Sequence, residues 1–393
     1  MIAPGATIGM LGGGQLGRMT ALAARAMGYR FHVLDPDGDC AASPVSDRTV
    51  AARFDDVEAA RDLARHCDVI TLEIEQIATA VLEAARAYAP TRPGPDVIAI
   101  VQDRGRQKSW LQERGFPIGR FATAASAGDV SDAVRRFGEA FVKSSHGGYD
   151  GRSQVRVRDD AHAAEAWRAL GERTVVTEEA LELAGELSVM VARRPSGDAA
   201  VFPAALNHHE RQILAWSVIP APLDDAIVSR GVEIARGIAG ALELEGLIAV
   251  ELFLTTSGDL LVNELAPRPH NSFHASERAC ATSQFEQLTR DVCDLPLGDV
   301  SVVRPAAIVN LFGDLWMRDA EPDFAIALRD PRVRLHLYGK RGARPGRKMG
   351  HLSAIGDSPL EALEAARAAA GRVGATTESV PDTLRAFSGS RAR

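Results

Sequence analysis

The chain has little from which to build a disulfide framework or a membrane anchor. Its 393 residues include four cysteines, Cys40, Cys67, Cys280 and Cys293, and none stands at the paired spacing of a zinc site or a disulfide scaffold. They are expected as reduced packing residues. No apolar run approaches the ~20 residues of a membrane-spanning helix, and the opening Met1 to Gly5 has no basic flank before an apolar stretch. A cytoplasmic protein with no membrane contact is expected. Positive charge is also short: the net charge is −7, so nothing global draws the chain to nucleic acid or to an acidic membrane. The basic cluster of Lys340, Arg341, Arg344, Arg347 and Lys348 lacks interleaved aromatics beyond Tyr338, which favours a single phosphate clamp over a nucleic-acid face. There are no repeats and no long low-complexity runs.

What remains is a globular composition, 46% hydrophobic and 25% charged, enough to bury a large core divided into two or three domains. Two segments carry chemistry. Phe141-Val142-Lys143 reads as a strand that runs into Ser144-Ser145-His146-Gly147-Gly148-Tyr149-Asp150-Gly151-Arg152. The glycines allow backbone N–H groups to approach phosphate oxygens, Lys143 supplies a point charge, and Arg152 a planar fork. No Gly-Lys-Ser/Thr closes the loop, so it is not a Walker motif. Downstream, Ala249 to Phe253 and Leu260 to Leu265 read as the strands of a hairpin turning at Ser257-Gly258-Asp259. That hairpin sets Glu251 near Asn263 and Glu264. Carboxylates on adjacent strands repel, and an apolar setting sharpens the repulsion, so the pair calls for a cation. Hard oxygen ligands beside a phosphate loop suit Mg²⁺, and nucleoside triphosphate chemistry becomes the leading reading.

At the front of the chain, a strand Thr7 to Leu11, the glycines 12, 14 and 17, a helix from about Leu16 to Met27 and a strand Arg30 to Leu34 ending at Asp35 form a Rossmann-like pattern. The same turn and helix N-terminus bind any phosphate or carboxylate, or simply pack tightly. The strand Val69 to Glu75 ends in acids at the edge where open parallel sheets bind ligands, which places a small-molecule site at Gln15 and Glu73. The first domain is expected to close near Pro90 to Pro95, giving residues 1–100. A second domain covers 101–298, opened by a charged helix Gln102 to Arg114. A third covers 299–375, and residues 376–393 lack apolar periodicity and are expected to be a mobile tail.

Four segments together carry a resemblance: Gly12 to Met19, Gly147 to Arg152, Asn263 to Ser272 and Pro345 to His351. In that order, over roughly residues 5 to 372, the chain resembles the N5-carboxyaminoimidazole ribonucleotide synthases, a purine-pathway family of the ATP-grasp superfamily. The resemblance implies an α/β and α+β architecture: an N-terminal Rossmann-like domain of biotin-carboxylase type, a central ATP-grasp domain holding ATP between two subdomains, and a small C-terminal domain. It implies a carbon–nitrogen ligase that converts 5-aminoimidazole ribonucleotide, ATP and bicarbonate to N5-carboxyaminoimidazole ribonucleotide, ADP and phosphate. ATP is then a cosubstrate, Mg²⁺ the cofactor with Mn²⁺ as a substitute, the assembly a homodimer, and the mutase of the same pathway the recipient of the product.

Carried over by position, Arg104 and Lys143 meet the ATP phosphates, and Gly148, Tyr149, Asp150, Gly151, Arg152, Ser153 and Gln154 cover them. Glu178, Glu179, Ala180 and Leu181 form the hinge beside adenine through backbone groups. Glu186 accepts from the ribose hydroxyls, and His209 contacts the nucleotide. Glu251 and Glu264 hold the metal with help from Asn263. Gln15, Leu16, Glu73, His270 and Asn271 surround the substrate base and ribose, while Arg152, Lys340, Arg347 and Lys348 serve its phosphate end. Tyr149, Asp150, Arg152 and Arg268 are the candidate catalytic residues, Asp150 orienting the amine or taking its proton. Ser153 and Phe273 stand where the family commonly has glycine. His208, His274 and His351 are expected as structural residues.

Two other readings are open on sequence grounds. Formate-dependent formylation of glycinamide ribonucleotide, or a biotin-carboxylase-like reaction, would share the phosphate loop and metal hairpin but not the Pro345 to His351 clamp. An NAD-linked oxidoreductase would use residues 7–35 and leave Lys143, Glu251 and Glu264 unexplained.

Overall fold

The computed structural model describes residues 1–147, 153–318, 321–382 and 387. Three sheets organise them. The first is parallel and joins β1 (Thr7–Leu11), β2 (Arg30–Asp35), β3 (Arg48–Ala51) and β4 (Val69–Leu72) in the order β3-β2-β1-β4. β1 and β4 are buried along their whole length, as largely apolar strands in a parallel sheet are when both faces are covered. The second is antiparallel, β5 (Phe121–Ala124), β6 (Ala140–Ser144), β7 (Gln154–Val157) and β8 (Val175–Glu179), in the order β5-β8-β6-β7.

The third sheet is the frame of the molecule. It takes in β9 (Leu183–Arg193), β10 (Ala199–Val201), β11 (Ala205–Glu210), β12 (Ile213–Ile219), β13 (Gly246–Thr255), β14 (Leu260–Ala266), β15 (Ala306–Phe312), β16 (Val333–Leu337) and β17 (Lys348–Ile355). Its path runs β14-β13-β9-β11-β12-β15-β17-β16, with β10 on the outer part of β9. The C-terminal strands therefore continue the central sheet through β12 and β15, where Trp216 faces Val309 and Ile219 faces Ala306.

The two faces of this sheet are buried separately. One packs against helices Asp225–Ala241 and Pro359–Arg372 through Val189, Val191, Trp216, Ile238, Ile248, Leu311 and Leu363. The other packs against the N-terminal sheet, with Met10, Phe31 and Val33 meeting Met190, Leu247, Phe273 and Ile308 in one cluster. The small antiparallel sheet keeps a core of its own around Val130, Val142 and Val175. Apolar periodicity thus holds the N-terminal unit on the central sheet, while β5 to β8 form a separately packed layer over one end.

Among the described residues, no helix is long and apolar enough to cross a membrane. The segment from 376 is tied down at its start. Trp216 Nε1 donates to the Glu378 carbonyl at 2.9 Å, and Glu378 N–H to Glu210 at 2.8 Å. A segment without apolar periodicity can still be held through its backbone polar groups, as Glu378 is here.

Candidate active site

The hairpin forms as its sequence requires. β13 and β14 pair antiparallel, Glu251 stands opposite Glu264, and the register shifts just beyond that pair. Asn263 Nδ2 donates to Glu251 Oε2 at 3.3 Å, while Asn263 Oδ1 is buried with no hydrogen-bond donor. Burial first, and the Glu264 charge second, push the Glu251 carboxyl up to about 7. On its other side, His270 Nε2 lies 3.2 Å from Glu251 Oε1. Burial and the charges of Arg268 and Lys348 hold His270 well below its ordinary value, so its ring is neutral. Since its Nδ1 accepts from Ser272 N–H at 3.4 Å, the ring proton sits on Nε2 and points at Glu251.

The facing wall is cationic. Helix Arg104–Glu113 is N-capped by Asp103, whose carboxylate accepts from Arg106 N–H at 2.7 Å. The helix aims Arg104 and Lys108, one turn apart, at one spot. Glu178 sits there with Lys143 Nζ at 3.0 Å, Lys108 Nζ at 3.3 Å and Arg104 Nη1 at 4.0 Å. Burial opposes its charge, but the three cations together lower Glu178 to about 2. Arg104 also reaches across to Glu264, Nη2 to Oε2 at 3.4 Å. Between the walls lies a cavity of about 350 Å³, lined by these residues and by Ser153, Gln154, Leu181, Phe253, Arg268, Asn271 and Lys348. Its far side carries Glu186, whose Oε2 lies 3.0 Å from His209 Nδ1. Burial works against protonation of His209, and the Glu186 charge outweighs it and raises the value.

The glycine turn at the front of the chain is closed by the protein itself. Helix Gln15–Ala26 has no side-chain cap of its own at Gly14. The Glu73 carboxylate supplies one, accepting from Gly14 N–H and, at 2.6 Å, from Gly17 N–H. Asp35 accepts from Gly13 N–H at 2.8 Å. A Cβ at Gly12 would lie 2.4 Å from Glu73 Cγ, and one at Gly14 2.5 Å from Glu73 Oε1. The glycines are there so that an internal carboxylate can occupy the anion site of the helix N-terminus, which leaves that site filled where an NAD pyrophosphate would need it.

With this geometry in view, the chain matches three domain families in order: a ribonucleotide synthetase preATP-grasp domain over residues 5–102, an ATP-grasp domain over 109–285, and a phosphoribosylaminoimidazole carboxylase C-terminal domain over 306–365. It is 38% identical to the N5-carboxyaminoimidazole ribonucleotide synthase of Bacillus subtilis (strain 168), over 90% of this chain and 92% of that one. The Brucella melitensis synthase is 39% identical over 90% of this chain and 97% of its own. The chain belongs to the N5-carboxyaminoimidazole ribonucleotide synthase family. Among solved synthase structures, an ADP complex superposes with a TM-score of 0.88 at 37% identity, covering 94% of this chain and 97% of that one. The Aspergillus clavatus synthase in complex with ADP and 5-aminoimidazole ribonucleotide gives 0.85 at 30% identity, covering 94% and 98%.

Within this synthase fold the sequence-named residues fall into separate groups. Arg104, Lys143, Ser153, Gln154, Glu178, Glu179, Leu181, Glu186, His209, Glu251, Asn263, Glu264, Arg268, His270, Asn271 and Lys348 all line the one cavity. In the hinge, the N–H groups of Glu179 and Ala180 are given to the carbonyls of Arg120 and Glu139, so neither N–H is on offer to a base. Glu178 faces the cations with its side chain rather than serving through its backbone alone. Lys340 Nζ donates to Gln15 Oε1 at 2.7 Å and to the Lys348 carbonyl at 3.1 Å, which links the first and third segments. The Leu16 side chain is packed with Met19, Phe285 and Tyr338, so a substrate could meet only its backbone. Glu73 is turned onto the glycine turn, and Arg347 donates to the Arg341 and Gly342 carbonyls, holding its own loop. Asn271 and Asn310 exchange amide hydrogen bonds of 3.2 and 2.7 Å. Phe273 is fully buried against Phe202 in the core under the N-terminal sheet and does not line the cavity.

Gly148, Tyr149, Asp150, Gly151 and Arg152 lie outside the described residues. Among the charged cavity residues that the reading of the sequence did not assign to the site are Lys108 and Glu75. Lys108 was signalled by its i, i+4 spacing from Arg104 on a helix. Glu75 pairs with Arg268 across the domain junction, Oε1 to Nε at 2.7 Å, and no local pattern announces a partner so distant in sequence.

Proposed function

We infer that this chain uses ATP to carboxylate the exocyclic amine of 5-aminoimidazole ribonucleotide, giving N5-carboxyaminoimidazole ribonucleotide, ADP and phosphate, with bicarbonate as the carbon source. The observation that carries this reading is the charge-divided cavity, with three cations gathered on Glu178 and two acids paired on the hairpin, in a chain of this family.

Bicarbonate is a poor electrophile. One of its oxygens attacks the γ-phosphorus, the bond to the β-phosphate oxygen breaks, and carboxyphosphate and ADP result. The amine nitrogen then attacks the carboxyl carbon, phosphate leaves, and the amine proton passes to a base. Lys143, Lys108 and Arg104 stand where phosphate charge must be balanced, and Glu178 holds them in place so that little reorganisation is needed during transfer. Glu186 and His209 suit the ribose end of the nucleotide. His270, Asn271 and Lys348 open onto the same cavity, so the amine-bearing substrate enters beside the phosphates. The resemblance gives Tyr149, Asp150 and Arg152 the task of covering the reacting groups and keeping water from carboxyphosphate, and gives Arg268, paired with Glu75, a role in the catalytic step.

The donor set fits a hard dication. Glu251 and Glu264 are adjacent carboxylates, Glu251 pushed up by burial and then by Glu264, and Asn263 Oδ1 is a buried acceptor without a donor. When bound there, Mg²⁺, or Mn²⁺ by the same oxygen chemistry, would neutralise phosphate charge between the two walls. Homodimeric assembly, a cytoplasmic location and transfer of the product to the mutase belong to the same reading and rest on the resemblance alone.

Coupled ADP release tests it. Purified protein with ATP, Mg²⁺ and bicarbonate should turn over only when 5-aminoimidazole ribonucleotide is added, and Glu264→Gln should cut that turnover by about 10²–10³-fold. Stimulation by glycinamide ribonucleotide with formate instead would move the chain to the formylating reaction.

A further inference from the structure

A second cluster of ligand-type side chains lies away from the nucleotide cavity and is used by nothing in the reaction above. Glu277 on the short helix Ser276–Ala279, His336 on β16 and His351 on β17 bring one carboxylate oxygen and two imidazole nitrogens within 4.8 Å of one another. The positions come from the fold: His336 and His351 are direct partners in the β16–β17 ladder, and their rings stack at 4.4 Å with 7° between planes. Glu277 Oε2 reaches in from the helix to 3.8 Å from His336 Nδ1.

Two of the ligand atoms lack the partners that burial demands. His351 is 0% exposed, and its Nε2 has no hydrogen-bond partner. Glu277 Oε2 is likewise shielded and has none. Buried polar atoms in this state are rare and call for an explanation. His351 Nδ1, by contrast, is engaged by the Tyr338 hydroxyl at 2.8 Å. That is how metal-bound imidazoles are usually held, with the outer nitrogen fixed so that the inner one presents its lone pair.

We propose that Glu277, His336 and His351 form a binding site for a divalent transition-metal ion of the zinc type. Two imidazoles and one carboxylate are a known three-ligand set for zinc, with water as the fourth ligand. Ligand atoms around a tetrahedral zinc at about 2.1 Å stand about 3.4 Å apart, so binding requires a rotation of the Glu277 side chain and a turn of the half-buried His336 ring out of the parallel stack, which lets its lone pair converge with that of His351. The charges of Arg278 and Arg334 fall on the same cluster and count against a hard cation held by net negative charge. A borderline metal gains directional bonds to nitrogen and depends less on that charge. The ion would clamp the β16–β17 hairpin to the helix that follows the acidic hairpin. Its effect would pass toward the substrate side through the His351–His274 stack, 4.9 Å between rings, and the 3.4 Å contact of His274 with Gln15.

Equilibrium dialysis of the full chain against Co²⁺ and Zn²⁺, with Mg²⁺ in excess, tests the proposal. Glu251→Gln serves as background because it removes a ligand of the nucleotide cavity. One Co²⁺ per chain should bind with the intense visible absorption of a tetrahedral site and be displaced by Zn²⁺. His336→Phe keeps the ring stack, Glu277→Gln keeps the shape, and each should weaken binding by at least ~10–100-fold. Zn²⁺ should raise the thermal midpoint of the parent and not of either variant. Identical isotherms for parent and both variants, or no bound Co²⁺ at all, would show a packed histidine stack and overturn the site.

Discussion

Two parts of this molecule look alike as sequence and are opposite as structure. The glycine turn 12–17 and the hairpin 246–266 each combine small residues, acids and a strand end, and each reads as a ligand site. In the turn, every charge has found an internal partner: Glu73 caps the helix, Asp35 holds Gly13, and added methyl groups would collide with Glu73. In the hairpin Glu251 and Glu264 still face one another despite the reach of Arg104 to Glu264, with Glu251 raised by burial and by Glu264, and Asn263 Oδ1 without a donor. A satisfied motif is a positioning device, whereas an unsatisfied one is poised for something absent. The presence of glycines and acids does not separate the two, but the state of their hydrogen bonds does.

The contrast can be broken from either side. Glu264→Gln should have the largest effect, cutting ADP-coupled turnover by about 10²–10³-fold while leaving the fold intact by circular dichroism, since it removes charge from a site that repels itself. Glu73→Ala should act on stability instead, lowering it by about 1–3 kcal/mol in denaturant melts because two helix N–H groups lose their acceptor. Should Glu73→Ala melt like the parent, the turn is not closed from within as described.

A third outcome concerns pH. Glu251 keeps its proton in the folded, ligand-free protein up to about 7, whereas unfolded it releases it near ~4.3. The folded state binds more protons across that window, so stability should fall as pH rises through it and level off above. Thermal melts from pH 5 to 8 should show the parent losing more than Glu251→Gln, and parallel curves would mean that the acids are already neutralised. The smallest effect is expected from Lys108→Met, which leaves Lys143 and Arg104 on Glu178. A rise of roughly tenfold in the KM for ATP with little change in kcat would mark a cation that binds the nucleotide's ground state and transition state alike.

Much of the frame was legible because its signals are local. The strands Thr7–Leu11 and Arg30–Asp35, the helix after the glycines and the acidic hairpin follow from apolar period and turn residues; the structure places the first three within a residue of expectation, and the first strand of the hairpin runs longer, over Gly246–Thr255. The opposition of Glu251 and Glu264 was legible for the same reason, since a short hairpin leaves few registers. Long-range pairings were not. Nothing near Lys108 announces Glu178, nothing near Glu75 announces Arg268, and the inward turn of Glu73 depends on packing between β1, β4 and a helix start. Lys348 read as part of a phosphate clamp for the substrate; it opens β17, is only 8% exposed and lines the cavity, because a basic residue at a strand start can line a cavity as easily as meet solvent.

The hydrogen bonds between β12 and β15 carry a consequence for how the chain can be cut. Sequence divides it near residue 300, but the backbone ladder does not, since Trp216 to Ile219 give one edge to Val309 to Ala306. A chain ending at that division would leave β12 as an open, apolar edge strand, with Trp216 and Val218 stripped of cover from the helix Pro359–Arg372 and its neighbours. Such an edge is a template for pairing with another copy. The last quarter of the chain is thereby a guard against self-association as much as a contributor to the site, and the catalytic unit is indivisible.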